Sequence, residues 1–165
     1  MKTLLVTGCA GFIGSNFVPY FLEKYSDVRL INLDLLTYAG DLANLSDVND
    51  VSRHIFVQGD ICDRPLVESL FSQYDIRGVI HFAAESHVDN SIKNPGVFIQ
   101  TNINGSFTLI DVAYKAWMET ATKVLLPMSK TVLGMIAAML LTQPKLKPNS
   151  DGKPMRTLIL VSLKR

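Results

Sequence analysis

Three glycines at positions 8, 11 and 14 constrain this chain more than any other feature of its sequence. They follow a short apolar run, Thr3–Thr7, that is typical of a buried strand, and they precede Phe12–Tyr25, whose apolar residues recur at helical spacing. In a strand-to-helix turn, the first glycine permits a tight turn, the second a close approach to a diphosphate, and the third close helix packing. The sequence therefore predicts a nucleotide-binding turn at the start of a helix.

An acidic residue in the expected place supports this interpretation. Asp34 closes a second apolar run, Val28–Leu33, twenty positions after Gly14. A carboxylate there binds ribose hydroxyls and repels a 2′-phosphate, so the pattern favours NAD over NADP. An ordinary turn with a solvated acid is the alternative.

The rest of the first 120 residues alternates between strand and helix patterns. This alternation predicts an α/β fold: a Rossmann-like, doubly wound parallel sheet, truncated, with helices on both faces. The remaining predicted strands are Ile55–Val57, Gly78–Ala83 and Lys123–Leu126, and the remaining helices are Pro65–Tyr74 and Pro95–Trp117. Gly105 inside the last helix indicates close packing against a neighbouring element.

Two further segments carry candidate site residues. Asp60 follows a predicted strand and is placed to hydrogen-bond an adenine amino group while Ile61 packs on the ring; a plain turn is the alternative. The segment His81–Asp89 follows a central strand, where ligands bind in such folds. Its His-Glu-His pattern raises the possibility of a metal site, but the spacing shows no convergence of ligands, so no metal is expected.

The composition changes near residue 120. Residues 1–122 hold 8 Lys and Arg and 14 Asp and Glu, whereas residues 123–165 hold 8 Lys and Arg and a single Asp. All 14 aromatic residues lie at or before Trp117. We therefore predict a nucleotide-binding domain over 1–122 and a divergent basic tail over 123–165. The tail is either an arm for nucleic acid or lipid or a stretch that is not the native continuation, and the second is favoured because no aromatic residues interleave its charges.

Other classes of protein are disfavoured. Net charge is +1 over 165 residues, which gives no argument for nucleic acid or an anionic membrane as a partner. The apolar part of Val124–Leu141 is too short to span a bilayer. Cys9 and Cys62 lack metal or disulfide spacing, and no signal peptide is evident, so a cytoplasmic location is expected.

Four segments together resemble the dTDP-glucose 4,6-dehydratases, which are extended short-chain dehydrogenases/reductases of the NAD-dependent epimerase/dehydratase family. The segments are Thr7–Gly14, Asn32–Gly40, Gly59–Asp63 and His81–Ile92, and the resemblance runs nearly continuously over residues 1 to about 117. The resemblance implies NAD as a recycled cofactor that oxidises C4 of a nucleotide-bound glucose and returns the hydride to C6 after water is eliminated. It also implies dTDP-glucose as substrate, and a homodimer formed through the 95–117 helix.

The resemblance assigns roles to residues of this chain. Those expected to contact the cofactor are Gly8, Gly11, Phe12, Ile13 and Gly14 at the diphosphate, Asp34, Leu35, Leu36 and Thr37 at the ribose, Asp60 and Ile61 at the adenine, and Phe82, Ala83, Ala84, Glu85, Ser86 and Thr101 beside the nicotinamide. Ser86 is also expected to touch the sugar substrate.

The chain departs from the family pattern at several places. Cys9 stands where glycine is usual, and Asn90 where arginine is usual. Residues 128–134 correspond to the segment that carries the elimination acid and base, yet they contain no carboxylate and no tyrosine, and no tyrosine occurs after Tyr114. No catalytic residue is therefore assigned. A catalytically impaired dehydratase-like protein, a non-catalytic NAD-binding module or scaffold, and a related epimerase remain as alternatives.

Overall fold

The computed structural model describes residues 1–46, 48, 50, 52–121 and 158–160. Its centre is a sheet of five strands, all parallel, in the order β3-β2-β1-β4-β5. The strands are β1 (Lys2–Thr7), β2 (Val28–Asp34), β3 (His54–Gln58), β4 (Ile76–His81) and β5 (Leu158–Leu160). The predicted Rossmann-like parallel sheet is thus confirmed.

Helices connect the strands. They are α1 (Phe12–Lys24), α2 (Arg64–Gln73), α3 (Val88–Lys93), α4 (Pro95–Phe98) and α5 (Ser106–Ala121), with a 3₁₀ turn at Leu42–Leu45 and a π-helix at Ile99–Gly105. Within residues 1–81 the predicted elements agree with the observed ones to within two residues at each end. Among the described helices, none is both long and apolar enough to cross a membrane.

Aliphatic side chains of the central strands fill two cores, one on each face of the sheet. On one face, Leu4 and Leu30 pack with Val18 and Phe21 of α1. On the other face, Leu5, Ile31 and Val79 pack with the side chains of α2 and α5, such as Val67 and Leu109. A parallel sheet covered on both faces needs strands that are apolar throughout, which explains the continuous aliphatic runs in the sequence.

The region after residue 94 differs from the sequence prediction. One helix was expected over Pro95–Trp117, but a π-helix at Ile99–Gly105 interrupts it between α4 and α5. A Cβ added at Gly105 would lie 2.6 Å from the Cδ1 of Ile61, so the close packing expected there is confirmed. The π-helix ends at Gly105, where this close contact with Ile61 lies, and helical periodicity reveals neither feature.

The strand predicted at Lys123–Leu126 lies outside the described residues. The strand that pairs with β4 is Leu158–Leu160, with Val79 opposite Leu158 and His81 opposite Leu160.

The glycine turn brings β1, α1 and β4 into close contact. Gly8 has a φ of +68°, and a Cβ there would lie 2.7 Å from the Cα of Ala83. A Cβ at Gly14 would meet the backbone carbonyl oxygen of Gly8 and would lie 2.6 Å from the Cα of Cys9. By contrast, a Cβ at Gly11 would come no closer than 3.5 Å to its neighbours. The first and third glycines are therefore required by packing, whereas a Cβ at the second would make ordinary van der Waals contacts.

We expect Gly14→Ala to lower the free energy of unfolding by about 1–3 kcal/mol, because its Cβ overlaps backbone atoms that cannot move aside easily. Gly11→Ala, the matched control, should change stability by less than about 0.5 kcal/mol. Urea unfolding followed by circular dichroism measures both. Equal stability of the two variants would contradict the packing derived for this turn.

Candidate functional site

A cavity of about 270 Å³ opens at the carboxyl ends of β1, β2, β3 and β4. Twelve of the seventeen residues proposed from the sequence line it: Gly8, Gly11, Asp34, Leu35, Thr37, Asp60, Ile61, Phe82, Ala83, Ala84, Glu85 and Thr101. Ligands of open parallel sheets bind in this position, at the point where the strand order reverses. In this sheet the reversal lies between β1 and β4.

The other five proposed residues do not line this cavity. Phe12 lines a neighbouring groove and is 83% exposed, and Ile13 is also exposed. Gly14 is packed against Gly8, as described above. Leu36 and Ser86 each lie directly beside residues that line the cavity.

The start of α1 faces this cavity without a side-chain cap. Gly11 is the N-cap residue of α1 and provides no side-chain hydrogen bond, whereas Asp63 caps α2 by accepting a bond from the Leu66 N–H at 3.1 Å. The first N–H groups of a helix have no partner within the helix and carry partial positive charge. Because Gly11 lines the cavity and has no side chain, this helix start is suited to bind the oxygens of a diphosphate.

The carboxylate of Asp34 joins the glycine turn to the loop after β2. Its Oδ2 accepts a hydrogen bond from the Ala10 N–H at 2.8 Å, and its Oδ1 accepts one from the Leu36 N–H at 2.9 Å. A carboxylate has about four acceptor positions, so two remain for hydroxyl groups of a ligand. Asp34 therefore lies at the mouth of α1 and lines the cavity, as a ribose-binding acid would.

Leu36 has a φ of +57°, an uncommon conformation for a residue with a side chain. The hydrogen bond from its N–H to Asp34 holds this turn in place. Strained backbone of this kind is concentrated at ligand sites, where it positions adjacent groups. Here it directs the chain so that both neighbours of Leu36, Leu35 and Thr37, line the cavity.

Cys9 occupies a fully buried position inside the glycine turn. Burial, together with the negative charge of Asp34, raises the pKa of its thiol to about 12. The thiol is therefore protonated at neutral pH and serves as a small packing group.

Asp60 begins a turn beside the cavity. Its Oδ1 accepts a hydrogen bond from the Cys62 N–H at 2.8 Å, and Ile61 is buried between this turn and Gly105. The residue lines the cavity beside Gly59. Asp60 is thus placed to accept a hydrogen bond from a ligand's amino group.

A buried polar chain links β1, β4 and α5. The hydroxyl of Thr7 lies 2.6 Å from Nδ1 of His81, whose Nε2 lies 3.0 Å from the hydroxyl of Ser106. The Ala83 N–H also donates to the Thr7 hydroxyl, at 3.4 Å. Burial lowers the pKa of His81 to about 4, so its ring is neutral at pH 7 and uses one nitrogen as donor and the other as acceptor. This chain positions Ala83, which lines the cavity.

The π-helix holds the loop after β4 through Asn102. The Asn102 Oδ1 accepts a hydrogen bond from the Glu85 N–H at 2.8 Å, and its Nδ2 donates to the Glu85 carbonyl at 2.9 Å. The side chain of Glu85 in turn accepts a hydrogen bond from the Tyr38 hydroxyl at 3.1 Å. Glu85 thus connects three segments that contribute to the cavity wall.

Sequence reasoning missed several residues of the site. Six additional residues line the cavity: Leu33, Ala39, Gly40, Gly59, Val97 and Gln100. Three of them, Ala39, Gly40 and Gly59, lie inside segments that carry the family resemblance, so the sequence already indicated that their neighbours belong to the site. Val97 and Gln100 gave none, because their position depends on the π-helix.

Among the described residues, no three His, Cys, Asp or Glu side chains come together as a group that could hold a metal ion. His81 and His87 also differ in setting, since the first is buried and the second is exposed.

The fold and the site are those of a dinucleotide-binding domain, and comparison with known proteins gives the family. The family model described as GDP-mannose 4,6 dehydratase matches residues 5–150. The chain belongs to this family of nucleotide-sugar dehydratases, and the resemblance found in the sequence is confirmed.

Individual curated proteins that resemble this chain are also nucleotide-sugar dehydratases. The chain is 49% identical over 119 residues to a dTDP-glucose 4,6-dehydratase of Neisseria meningitidis, covering 72% of this chain and 33% of that protein. The chain therefore spans about one third of the length of the curated relatives that it matches.

Solved structures show the same similarity. A dTDP-glucose 4,6-dehydratase from Streptomyces venezuelae with NAD bound superimposes with a TM-score of 0.64 at 48% identity, covering 70% of this chain and 36% of that one. A UDP-glucose 4-epimerase from Thermotoga maritima superimposes with a TM-score of 0.62 at 33% identity, covering 70% and 35%. The family match runs past residue 122, and the domain boundary proposed there stays a prediction.

We expect the buried His81 to make the folded chain less stable in mild acid. Its pKa is about 4 in the folded chain, against 6.5 for the ordinary group, so the unfolded chain binds a proton first. The contribution of the neutral His81 to the free energy of unfolding is fully present above pH 6.5. It is lost as the pH falls toward 4, by about 3 kcal/mol in total.

Urea unfolding of wild type and His81→Gln at pH 7 and pH 4.5 measures this difference. The pH dependence should be weaker in His81→Gln and unchanged in His87→Gln, a control at an exposed histidine. An identical pH dependence in wild type and His81→Gln would contradict the assignment.

Proposed function

We propose that this chain binds NAD and forms the cofactor-binding part of a dTDP-glucose 4,6-dehydratase. The observation that carries the proposal is the position of Asp34, whose carboxylate accepts the Ala10 N–H and also lines the cavity beside the uncapped start of α1. The diphosphate would lie against the glycine turn, and the ribose next to it would bind the remaining acceptor positions of Asp34.

The residues present fit the adenosine part of NAD. Asp60 and Ile61 would hold the adenine, and Leu35, Leu36 and Thr37 would border its ribose. The carboxylate of Asp34 would repel a 2′-phosphate, which supports NAD over NADP. Phe12 and Ile13, exposed at the start of α1, would contact the diphosphate side of the cofactor.

The nicotinamide would lie toward the loop after β4. Small Ala83 and Ala84 leave room for a planar ring, and Thr101 reaches the same wall from the π-helix. Bound NAD supplies a hydride acceptor for sugar oxidation and later a hydride donor. Ser86, one residue beyond Glu85 and exposed, is placed to contact the sugar of dTDP-glucose.

A non-catalytic NAD-binding module is the second candidate, and a specific observation favours it for this chain. Residues 128–134 contain neither carboxylate nor tyrosine, and the chain has no tyrosine after Tyr114. Loss of a general acid or base costs about 10²-fold or more in rate. Formation of a 4-keto-6-deoxy sugar from dTDP-glucose by the purified chain decides between the two candidates.

We further propose that the chain forms a homodimer through the helices after residue 94. Large apolar side chains are exposed along one stretch of these helices: Ile99, Ile103, Phe107, Ile110 and Tyr114. An apolar stripe of this kind is typical of a protein–protein interface.

We also propose a cytoplasmic location for this chain. The two free thiols, Cys9 and Cys62, support it, because disulfides are rare in the reducing cytoplasm.

The cofactor proposal predicts that Asp34→Asn weakens NAD binding at least about tenfold, because one backbone N–H would face an amide N–H instead of a carboxylate oxygen. Isothermal titration calorimetry measures the dissociation constants of NAD and NADP. The control is Asp41→Asn, which removes the same charge from a residue that caps the exposed 3₁₀ turn through its Oδ1. Equal NAD affinity of the two variants, or tighter binding of NADP by the wild type, would argue against the proposed site.

The dimer proposal predicts that Phe107→Glu shifts the chain toward monomer, because a charge would be buried in an apolar interface. Sedimentation velocity across a concentration series gives the oligomeric state. Tyr20→Glu places the same charge at an exposed aromatic position on α1 and should leave association unchanged. A wild-type chain that is monomeric at all concentrations would contradict this proposal.

A further inference from the structure

A hydrogen bond between Tyr38 and Glu85 connects two loops that lie on either side of β1. Tyr38 belongs to the loop after β2, and Glu85 belongs to the loop after β4. Because β1 lies between β2 and β4 in the sheet, this Tyr38–Glu85 bridge spans the end of β1, where the glycine turn begins. Both loops also line the cavity, through Thr37 and Ala39 on one side and Ala84 and Glu85 on the other.

Both ends of the bridge are held by the backbone. Asn102 binds the N–H and the carbonyl of Glu85 at 2.8 and 2.9 Å. On the other side, the Gly40 N–H donates to the Thr37 carbonyl at 3.0 Å, which closes a tight turn around Tyr38. A bond between two anchored segments restrains their separation more than one between freely moving side chains.

The bridge lies on the solvent side of the cavity. The Tyr38 side chain is 65% exposed, whereas Glu85 is half-buried and lines the cavity. The Tyr38 ring stands edge-on to the ring of His87, with the ring centroids 6.3 Å apart. Two residues that follow β4, Glu85 and His87, thus contact one tyrosine of the loop after β2.

We propose that the Tyr38–Glu85 bridge is a closure that retains the dinucleotide in its cavity. This inference rests on the proposed NAD-binding function and adds to it a device that controls cofactor release. A reaction that removes a hydride from the sugar and returns it to the same sugar needs a cofactor that stays bound throughout. For a dinucleotide to leave, the loop after β2 and the loop after β4 must separate, and the bridge must break.

The proposal predicts faster release of the dinucleotide without a change in global stability. Since a dinucleotide that enters the free protein must pass the same two loops, entry should not become slower. Tyr38→Phe removes only the hydroxyl, and we expect it to raise the dissociation rate constant of the dinucleotide about three- to tenfold. Glu85→Gln keeps an acceptor oxygen but removes the charge, so its effect should be smaller. The double variant should release no faster than Tyr38→Phe alone, because both changes act on one bond.

Stopped-flow fluorescence measures these rates on the full chain. The protein is loaded with NADH and mixed with excess NAD, and the decay of bound NADH fluorescence gives the dissociation rate constant; direct mixing gives the association rate constant. Tyr20→Phe is the matched control, since this exposed tyrosine hydroxyl accepts a hydrogen bond from Lys24 on α1 and the residue does not line the cavity. Hydrogen exchange at the amides of residues 37–40 and 84–86 gives a second readout without nucleotide.

The inference is supported by faster NADH release from Tyr38→Phe, with an equal or faster association rate, an unchanged unfolding midpoint, and faster exchange in both loops. A slower association rate or a lower midpoint would indicate a structural role and overturn it. So would release from Tyr38→Phe at the rate of wild type and Tyr20→Phe. Failure of the wild-type chain to bind NADH would instead overturn the proposed function together with this closure.

Discussion

The carboxylate of Asp34 is the interaction on which the rest of the site depends. It accepts hydrogen bonds from Ala10 in the turn after β1 and from Leu36 in the loop after β2, so one side chain holds two loops in register. The bond to Leu36 stabilises a left-handed backbone conformation that a leucine otherwise disfavours. Through that turn, the same carboxylate sets the course of the loop that carries Thr37, Tyr38 and Ala39. The shape of this part of the cavity, and the ribose site that we propose there, therefore depend on one acidic group.

The opposite wall depends on a buried polar chain instead of a charge. Thr7, His81 and Ser106 link the end of β1 to β4 and to the start of α5, in a region that apolar packing otherwise fills. Such a group stays in the interior only if its hydrogen bonds are satisfied, and the two hydroxyls satisfy both ring nitrogens of His81. Through Thr7, the neutral histidine positions Ala83 close to Gly8. This close approach explains why a Cβ at Gly8 would have no room.

The π-helix connects this wall to the apolar face that we propose for dimerisation. Asn102 points toward Glu85, while Ile99 and Ile103 of the same segment are exposed. A π-turn adds a residue to the helical repeat, which changes which side chains share a face. The interruption thus lets one short segment present a polar group to the cavity and apolar groups to the surface. One segment therefore contributes both to the cavity wall and to the apolar face that we propose for dimerisation.

The sequence by itself determined the first four strands of the sheet, the glycine turn and the acid at residue 34, whereas the pairing of Leu158–Leu160 with β4 came from the tertiary structure. These features are local: aliphatic runs specify buried strands, and glycines mark places where a Cβ has no room. Twelve of the seventeen proposed site residues line the cavity for the same reason, since they lie at the ends of strands that the sequence identifies. Tertiary structure alone decided the π-helix, the Asn102 contact with Glu85 and the Tyr38–Glu85 bridge. Asn102 and Tyr38 are separated from Glu85 by 17 and 47 residues, and no periodicity encodes a hydrogen bond between side chains so far apart along the chain.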